Sequence, residues 1–221
     1  MISPVMIALL LLYLADLCVF TPGYVSSKYD HSPRKKKLIK KGICICIPLL
    51  VLLAGTVYRT VIYGPDIYLF ILLAGMILCA VGDIILEIRF IKGGFLFFGG
   101  HLLYVCGALY HVRSFRGETL IIFLALAGIG TFLTFDRLDR KYRGLLIAYN
   151  IMISASFAMG TALYSTYLPG NVLPGLGFMF LVVSDWLLAR NKMAGSTFGW
   201  SLVSLLFYFG GQILISTVVF F

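Results

Sequence analysis

The sequence predicts an all-α membrane protein with eight transmembrane helices, and three observations support this fold class. Of its 221 residues, 61% are hydrophobic and only 12% are charged, whereas soluble domains average about 45–50% and about 25%. The apolar residues fall into eight runs, each near the roughly 20 residues that span a bilayer. Basic residues concentrate in alternate connections between these runs. We therefore expect a single integral membrane domain over residues 1–221, with no separate soluble domain.

Glycine, proline and charged residues separate the eight runs. Three of the separators are Thr21-Pro22-Gly23, Gly64-Pro65-Asp66 and Pro169-Gly170-Asn171, and a fourth is Lys92-Gly93-Gly94. The first run has no basic segment before it and no clear small-residue cleavage site after it, so we interpret it as a retained span. The predicted spans are Ile2–Phe20, Ile43–Tyr63, Ile67–Ile88, Phe95–Val112, Leu120–Phe135, Gly144–Tyr164, Val172–Ala189 and Phe198–Phe221.

The basic residues predict the orientation of the chain. Connections at one end of the spans hold fifteen of the eighteen lysines and arginines, while Arg59, Arg113 and Arg116 lie at the other end. Loops rich in lysine and arginine face the cytoplasm. We therefore predict that both termini are non-cytoplasmic, in a bacterial inner membrane or the endoplasmic reticulum. The net charge of +9 is then explained by these loops and predicts no nucleic-acid partner.

Two segments of the sequence are similar to each other. Gly82-Asp83-Ile84-Ile85-Leu86 precedes Arg89 and later Tyr104, and Ser184-Asp185-Trp186-Leu187-Leu188 precedes Arg190 and later Tyr208. Both segments run in the same direction across the membrane. Two parallel four-helix halves would explain the similarity, and such repeats are common in transporters.

Few ionisable residues lie inside the predicted spans, where each is costly and indicates a functional site. Asp83 and Asp185 are the main candidates, because an apolar turn that still belongs to the span follows each of them. Asp16 could be solvated at a span end, and Glu87 could pair with Arg89 or Lys92. Further polar residues in the spans are His101, Tyr104, Asn150, Ser154, Ser184, Tyr208 and Gln212.

These residues, Gln212 excepted, fall in the half of the membrane next to the basic connections, which predicts one polar cavity opening toward the cytoplasm. A histidine-rich zinc site is not expected, because His101 and His111 are about 15 Å apart along one helix. A magnesium site made of carboxylates alone stays open from the residues, but we predict no metal and no cofactor. The five cysteines have no spacing typical of a zinc site or a disulfide framework.

Three stretches resemble the YhhN family, the lysoplasmalogenases. They are Gly82–Tyr104 with its Gly-Asp and Gly-His-Leu-Leu-Tyr motifs, Phe180–Asn191 with Ser-Asp-Trp, and Tyr208 followed by Gln212-Ile213-Leu214-Ile215. The length and the eight predicted spans also fit this family. Glu87 does not belong to the family pattern.

The resemblance implies that the chain hydrolyses the vinyl-ether bond of a lysoplasmalogen, a one-chain 1-alkenyl glycerophospholipid. Asp83 and Asp185 would then be catalytic, as two carboxylates in unlike environments that divide the acid and base roles. Arg89, Lys92, Arg190 or Lys192 could hold the phosphate. We expect substrate-binding roles for His101, Tyr104, Asn150, Ser184, Asn191, Tyr208, Gln212 and Glu87.

Two other classes of function remain open from the sequence. A small-molecule or lipid transporter would explain the possible repeat and the polar residues in the spans. A lipid-binding sensor without catalysis would also fit. Confinement of the polar residues to one half of the membrane argues against a path through it. The oligomeric state is not predicted.

Overall fold

The computed structural model describes residues 4–30, 32–112, 117–135 and 143–221, and within these ranges the chain is helical with no strand. The basic residues Arg137, Arg140 and Lys141 and the arginines Arg113 and Arg116 lie outside the described residues. The helices are α1 (Pro4–Ala15), α2 (Thr21–Tyr29), α3 (Arg34–Tyr63), α4 (Ile67–Leu86), α5 (Phe90–Val112), α6 (Gly117–Phe135), α7 (Arg143–Tyr164), α8 (Pro169–Ala194) and α9 (Phe198–Ser216).

Seven helical segments in the described ranges are long and apolar enough to span a membrane. The first combines α1 and α2, and the other six correspond to α3, α4, α5, α7, α8 and α9. The remaining helix, α6, is apolar over the shorter segment Gly117–Phe132. Large apolar side chains such as Val61 and Phe132 point outward, 77% and 82% exposed. Such an apolar exterior is expected of a surface that faces lipid, so the chain is a multi-pass membrane protein.

The first span differs from its predicted bounds. A π-helical turn, Asp16–Phe20, joins α1 to α2, and the helix continues to Tyr29. The prediction that Thr21-Pro22-Gly23 ends the span is therefore wrong. Pro22 directly follows the π-helical turn, so the missing N–H of proline falls where the regular hydrogen bonding of the α-helix is already interrupted.

Two other segments that the sequence predicts to separate spans also lie within helices. Lys92-Gly93-Gly94 belongs to α5, and Pro169 and Gly170 begin α8. Gly93 serves packing instead of a turn, because a Cβ atom there would lie 2.7 Å from the Leu86 backbone. Gly64-Pro65-Asp66 does connect two helices, and the Asp66 carboxylate caps α4 by accepting a hydrogen bond from the Tyr68 N–H at 2.9 Å.

Three connections meet at one end of the bundle, which we call the basic end. They are represented by residues 30 and 32–33, by residues 87–89 and by residues 195–197. The Tyr29 hydroxyl hydrogen-bonds to the Ser196 and Ser201 hydroxyls, at 2.9 Å each. The Arg34 guanidinium donates to the Glu87 carbonyl at 3.0 Å. These contacts join the first, second and last pairs of spans at the end where the sequence predicts the cytoplasm.

Close glycine crossings occur both in the first four spans and in the last four. In the first half, Gly75 of α4 faces Gly100 of α5, and in the second, Gly177 of α8 faces Gly211 of α9. A Cβ atom on any of the four would lie within 3.2 Å of the carbonyl oxygen of the facing glycine. The backbones of the third and fourth spans thus cross closely in each half. The same close approach occurs between α7 and α8, at Gly160 and Gly175, so glycine crossings are a general packing feature of this bundle.

Candidate active site

Asp83 lies in the last turn of α4, and its side chain is buried. The Lys41 ammonium is 2.9 Å from the Asp83 Oδ1 atom and donates to the Asp83 carbonyl oxygen, also at 2.9 Å. Oδ2 is buried and has no hydrogen-bond partner among the described residues. The Tyr208 hydroxyl of α9 is close to this carboxylate. One basic side chain and one phenol therefore surround the first predicted catalytic residue.

Lys41 was not predicted as a site residue, because the sequence places it in a run of basic residues. In the structure its side chain is only 3% exposed, in the early part of α3. The buried residues that follow on this helix include Ile45, Pro48, Leu52 and Thr56. Spacings of three and four put them on one face with Lys41. That periodicity is the sequence signal that could have identified Lys41 as buried.

Glu87 extends the ion pair toward the basic end. Its Oε1 atom lies 3.5 Å from the Lys41 ammonium and 3.6 Å from that of Lys28, and it accepts a hydrogen bond from the Tyr24 hydroxyl. These partners replace the expected Arg89 and Lys92. Burial alone would raise the pKa of Glu87, but the two ammonium groups and the tyrosine outweigh it and lower the pKa to about 2. Glu87 is therefore part of a charge-balanced network.

Asp185 of α8 has a different set of partners. Its Oδ2 atom lies 2.9 Å from Nε2 of His101 on α5 and accepts a hydrogen bond from the Tyr149 hydroxyl of α7 at 3.0 Å. The other ring nitrogen of His101 is 3.1 Å from the Ser156 hydroxyl. His101 is 1% exposed and Asp185 7%. This chain of groups can hold and pass a proton inside the bundle.

Tyr149 and Ser156 were also missed by the sequence. They are seven residues apart on α7, which places them on the same helix face. The predicted residue Asn150 adjoins Tyr149 but faces another helix. Its amide donates to the Ala127 carbonyl at 3.1 Å and the Thr131 hydroxyl at 3.2 Å, both on α6. Asn150 thus holds α6 against α7 and lies apart from the two aspartates.

The two aspartates share a neighbourhood without bonding to each other. The Cys79 thiol and the Tyr149 hydroxyl lie within electrostatic range of both carboxylates. In the described part of the chain, however, each carboxylate bonds to its own basic residue, Lys41 or His101. The expectation of two carboxylates in unlike environments therefore has a geometric basis, although a direct contact between them is not present.

A layer of polar side chains lies beside this pair. The Tyr104 hydroxyl donates to Gln212 Oε1 at 3.0 Å, and the Gln212 amide donates to the Tyr208 hydroxyl at 3.4 Å. Tyr208 and Gln212 also line an internal cavity of about 10 Å³, which is roughly the smallest space that holds a water molecule. Tyr208 and Gln212 could therefore orient a water in this cavity, and Tyr104 fixes the position of the Gln212 side chain.

Three other residues lie elsewhere. The Asn191 amide donates to the Trp200 carbonyl at 3.3 Å and fixes the start of α9. Ser184 is buried between α8 and α9, where its carbonyl accepts from the Ser204 hydroxyl at 3.1 Å. Asp16 is fully buried, so the expectation that it is solvated is wrong. The reason is the π-helical turn, which continues the helix beyond Asp16 and keeps the carboxylate inside the bundle.

No group of three or more histidine, cysteine, aspartate or glutamate side chains is placed to hold a metal ion within the ranges that the structure describes. Hydrogen bonds and ion pairs among seven helices hold the polar groups of the site. These helices are α2, α3, α4, α5, α7, α8 and α9.

Comparison with known proteins gives one match. The sequence model of the YhhN family matches residues 42–219, which includes both aspartates, His101 and the Tyr208–Gln212 segment. No curated protein matches the chain, and no solved structure matches it. Since the match covers most of the sequence and agrees with the motifs around both aspartates, the chain belongs to the YhhN family.

Proposed function

We propose that this protein hydrolyses the vinyl-ether bond of lysoplasmalogens, which releases a fatty aldehyde and glycerophosphoethanolamine or glycerophosphocholine. Lysoplasmalogenase is the known activity of the YhhN family. The observation that carries the proposal is the pair of buried aspartates, one bonded to Lys41 and the other to His101. Two carboxyl groups in such different surroundings are suited to opposite roles in acid–base catalysis.

The reaction needs a proton donor and a water. The donor protonates the β-carbon of the vinyl ether, and the electron pair of the double bond forms the new C–H bond. The oxocarbenium ion that results is captured by water at the carbon next to oxygen. Loss of a proton gives a hemiacetal, which collapses into the aldehyde and the glycerol hydroxyl. The sum consumes one water, and the catalyst recovers its proton.

We assign the donor role to the unit of Asp185, His101 and Tyr149. Its hydrogen bonds of 2.9 and 3.0 Å can hold an exchangeable proton away from bulk solvent. General acid catalysis of this kind contributes about 10²–10⁴-fold to the rate. No nucleophilic serine is required, since the mechanism has no acyl-enzyme step.

We assign Asp83 the complementary role. As a carboxylate paired with Lys41, it would stabilise the oxocarbenium ion and accept the proton that water releases. Tyr208 and Gln212 would orient that water in the adjoining cavity. The cavity is far too small for a lipid chain, so binding of substrate requires the helices around it to separate. The alkenyl chain would then lie among apolar side chains of the spans.

Purified protein in detergent or nanodiscs tests the proposal. Incubation with a lysoplasmalogen should release aldehyde, while a lysoacyl lipid should yield none. Asp83→Asn and Asp185→Asn should each lower turnover about 10²-fold or more. Asp30→Asn is the matched control, because Asp30 is exposed and bonds only to the Ser26 hydroxyl at 2.8 Å among the described side chains.

One outcome would reject the proposed activity, and a second would reject only the mechanism assigned to it. Absence of aldehyde release, combined with uptake of a lysolipid into proteoliposomes, would favour the transporter alternative. Turnover near the wild-type value in both aspartate variants would leave vinyl-ether hydrolysis possible but would refute the assigned mechanism.

A further inference from the structure

A large apolar groove runs along the bundle away from the candidate active site. Its lining comes from α1, α3 and the last residues of the chain, and its volume is about 1220 Å³. Clefts that hold drug-sized ligands measure about 300–1,000 Å³. The groove is therefore large enough for a long hydrocarbon chain. Leu50, Val51 and Ala54 lie along it, and Arg59 and Tyr63 are at one end.

A second, smaller pocket adjoins the groove at this end. Its volume is about 270 Å³, and Arg59 and Tyr63 line both spaces. Asp66 and Tyr110 complete the polar part of the small pocket. An apolar groove thus leads into a pocket that contains one cation, one anion and two phenol rings.

The two charges in the small pocket are available to a ligand. Arg59 lies 6.0 Å from the Tyr63 ring, and one oxygen of Asp66 caps α4. Neither residue forms an ion pair within the described ranges, although both line the same pocket. A phosphate would be a suitable partner for the Arg59 guanidinium. An ammonium group would suit the second Asp66 oxygen and the tyrosine faces.

The position of the pocket fits a lipid headgroup. Arg59 follows Lys41 by eighteen residues on α3, so the two are about 27 Å apart along the helix. This separation is close to the thickness of the hydrocarbon core, about 30 Å. Arg59 therefore lies at the membrane interface opposite the basic end, and the groove extends from it toward the bilayer centre.

From this arrangement we propose that the groove and pocket together bind an intact glycerophospholipid of the surrounding bilayer with a zwitterionic, amine-bearing headgroup. Its phosphate contacts Arg59, its ammonium contacts Asp66, and one chain lies in the groove along α3. This site is separate from the aspartate pair and does not depend on hydrolysis. It would make the protein selective for one lipid class in the leaflet at that interface.

Native mass spectrometry of delipidated protein tests this inference with three probes: phosphatidylethanolamine, phosphatidylglycerol and diacylglycerol. The wild type should retain phosphatidylethanolamine best. Arg59→Gln should bind both phospholipids about tenfold more weakly, because it removes a charge-assisted hydrogen bond. Asp66→Asn should lower binding of phosphatidylethanolamine to the level of phosphatidylglycerol and leave the latter unchanged.

Two further variants complete the design. Ala54→Trp should fill the groove and weaken all three probes, whereas Lys36→Gln, an exposed change at the basic end, should leave them unchanged. If Ala54→Trp does not fold, Asp66→Asn still decides the question, since asparagine caps a helix as well as aspartate does. Equal retention of the two phospholipids by the wild type, or a wild-type pattern in both Arg59→Gln and Asp66→Asn, would overturn the proposal.

Discussion

Lys41 is the residue whose role differs most from what its sequence neighbours indicate. It belongs to a basic run but is buried, whereas Lys40 beside it is half-buried and donates to the Gly23 carbonyl at 2.8 Å. The difference is a matter of helix face, since only Lys41 continues the buried stripe of α3. A buried charge that has lost its partner strongly destabilises a protein. Substitutions at Lys41 and at Lys40 should therefore have different effects on stability.

Lys41→Met should lower the free energy of unfolding by about 3–5 kcal/mol, because Asp83 would lose the ammonium that balances it. Lys40→Met should cost less than about 1 kcal/mol. Denaturation of detergent-solubilised protein gives both values. The double variant Lys41→Met/Asp83→Asn should recover part of the loss, and a double variant as unstable as the sum of the single changes would refute the pairing.

Glu87 gives a pH dependence whose sign follows from its pKa. The pKa is lowered from 4.5 to about 2 in the folded protein, so folding favours the ionised form. The stabilisation is complete above the ordinary pKa and is lost as pH falls through the folded value.

Glu87→Gln should therefore lower the melting temperature at pH 7, and the difference from the wild type should shrink between about pH 4.5 and pH 2. Thermal melts of the two proteins across this range provide the measurement. A difference that stays constant down to pH 2 would show that Glu87 acts through packing alone.

At the scale of the elements, glycines and prolines were the least reliable guides. The sequence predicts that Pro22, Gly93 and Gly170 separate neighbouring spans, yet all three lie in helices. Proline lacks an N–H, and at Pro22 this falls beside a π-helical turn where the regular helical hydrogen bonding is already interrupted. A glycine at a close helix crossing resembles a turn glycine in sequence. By contrast, Gly64 does end a helix, with a φ of 90° that disfavours other residues.

The crossing of α8 and α9 predicts a large effect from one methyl group. A Cβ atom at Gly177 would lie 2.7 Å from the Gly211 carbonyl oxygen and 2.9 Å from an Ile215 side-chain carbon. Gly177→Ala should destabilise the protein by about 1–3 kcal/mol through overpacking. Gly199→Ala is the control, since nothing lies within 4 Å of its Cβ position, and it should be neutral or slightly stabilising.

The sequence predicts only part of the site, because contacts between different helices decide which side chains meet. The low number of intramembrane charges identified Asp83, Asp185 and His101, because such groups are costly in a bilayer. The pairing of His101 with Asp185 joins residues 84 positions apart, and no periodicity within one helix indicates which helices face each other. Tyr149 was missed for the same reason, since a tyrosine in an apolar span has no distinguishing pattern until its partner is known.

At the scale of the whole molecule, the eight crossings predicted from the sequence would put both termini on one side of the membrane. The basic end should face the cytoplasm, which leaves Phe221 on the other side. In a bacterial host, a C-terminal fusion to a fluorescent protein that folds only in the cytoplasm should be dark, and a fusion to alkaline phosphatase should be active. The opposite pair of results would reverse the orientation and place the candidate active site toward the outside.

The residues that balance Asp83 have a consequence for comparing members of this family. Tyr24, Lys28 and Lys41 all precede residue 42, where the family match begins, yet they hold the network around Asp83 and Glu87. A relative could therefore keep every motif of the matched region and still differ in the charge beside its first aspartate. Conversely, removal of the first span would leave the motifs intact but would remove Tyr24 and Lys28, which contact Glu87.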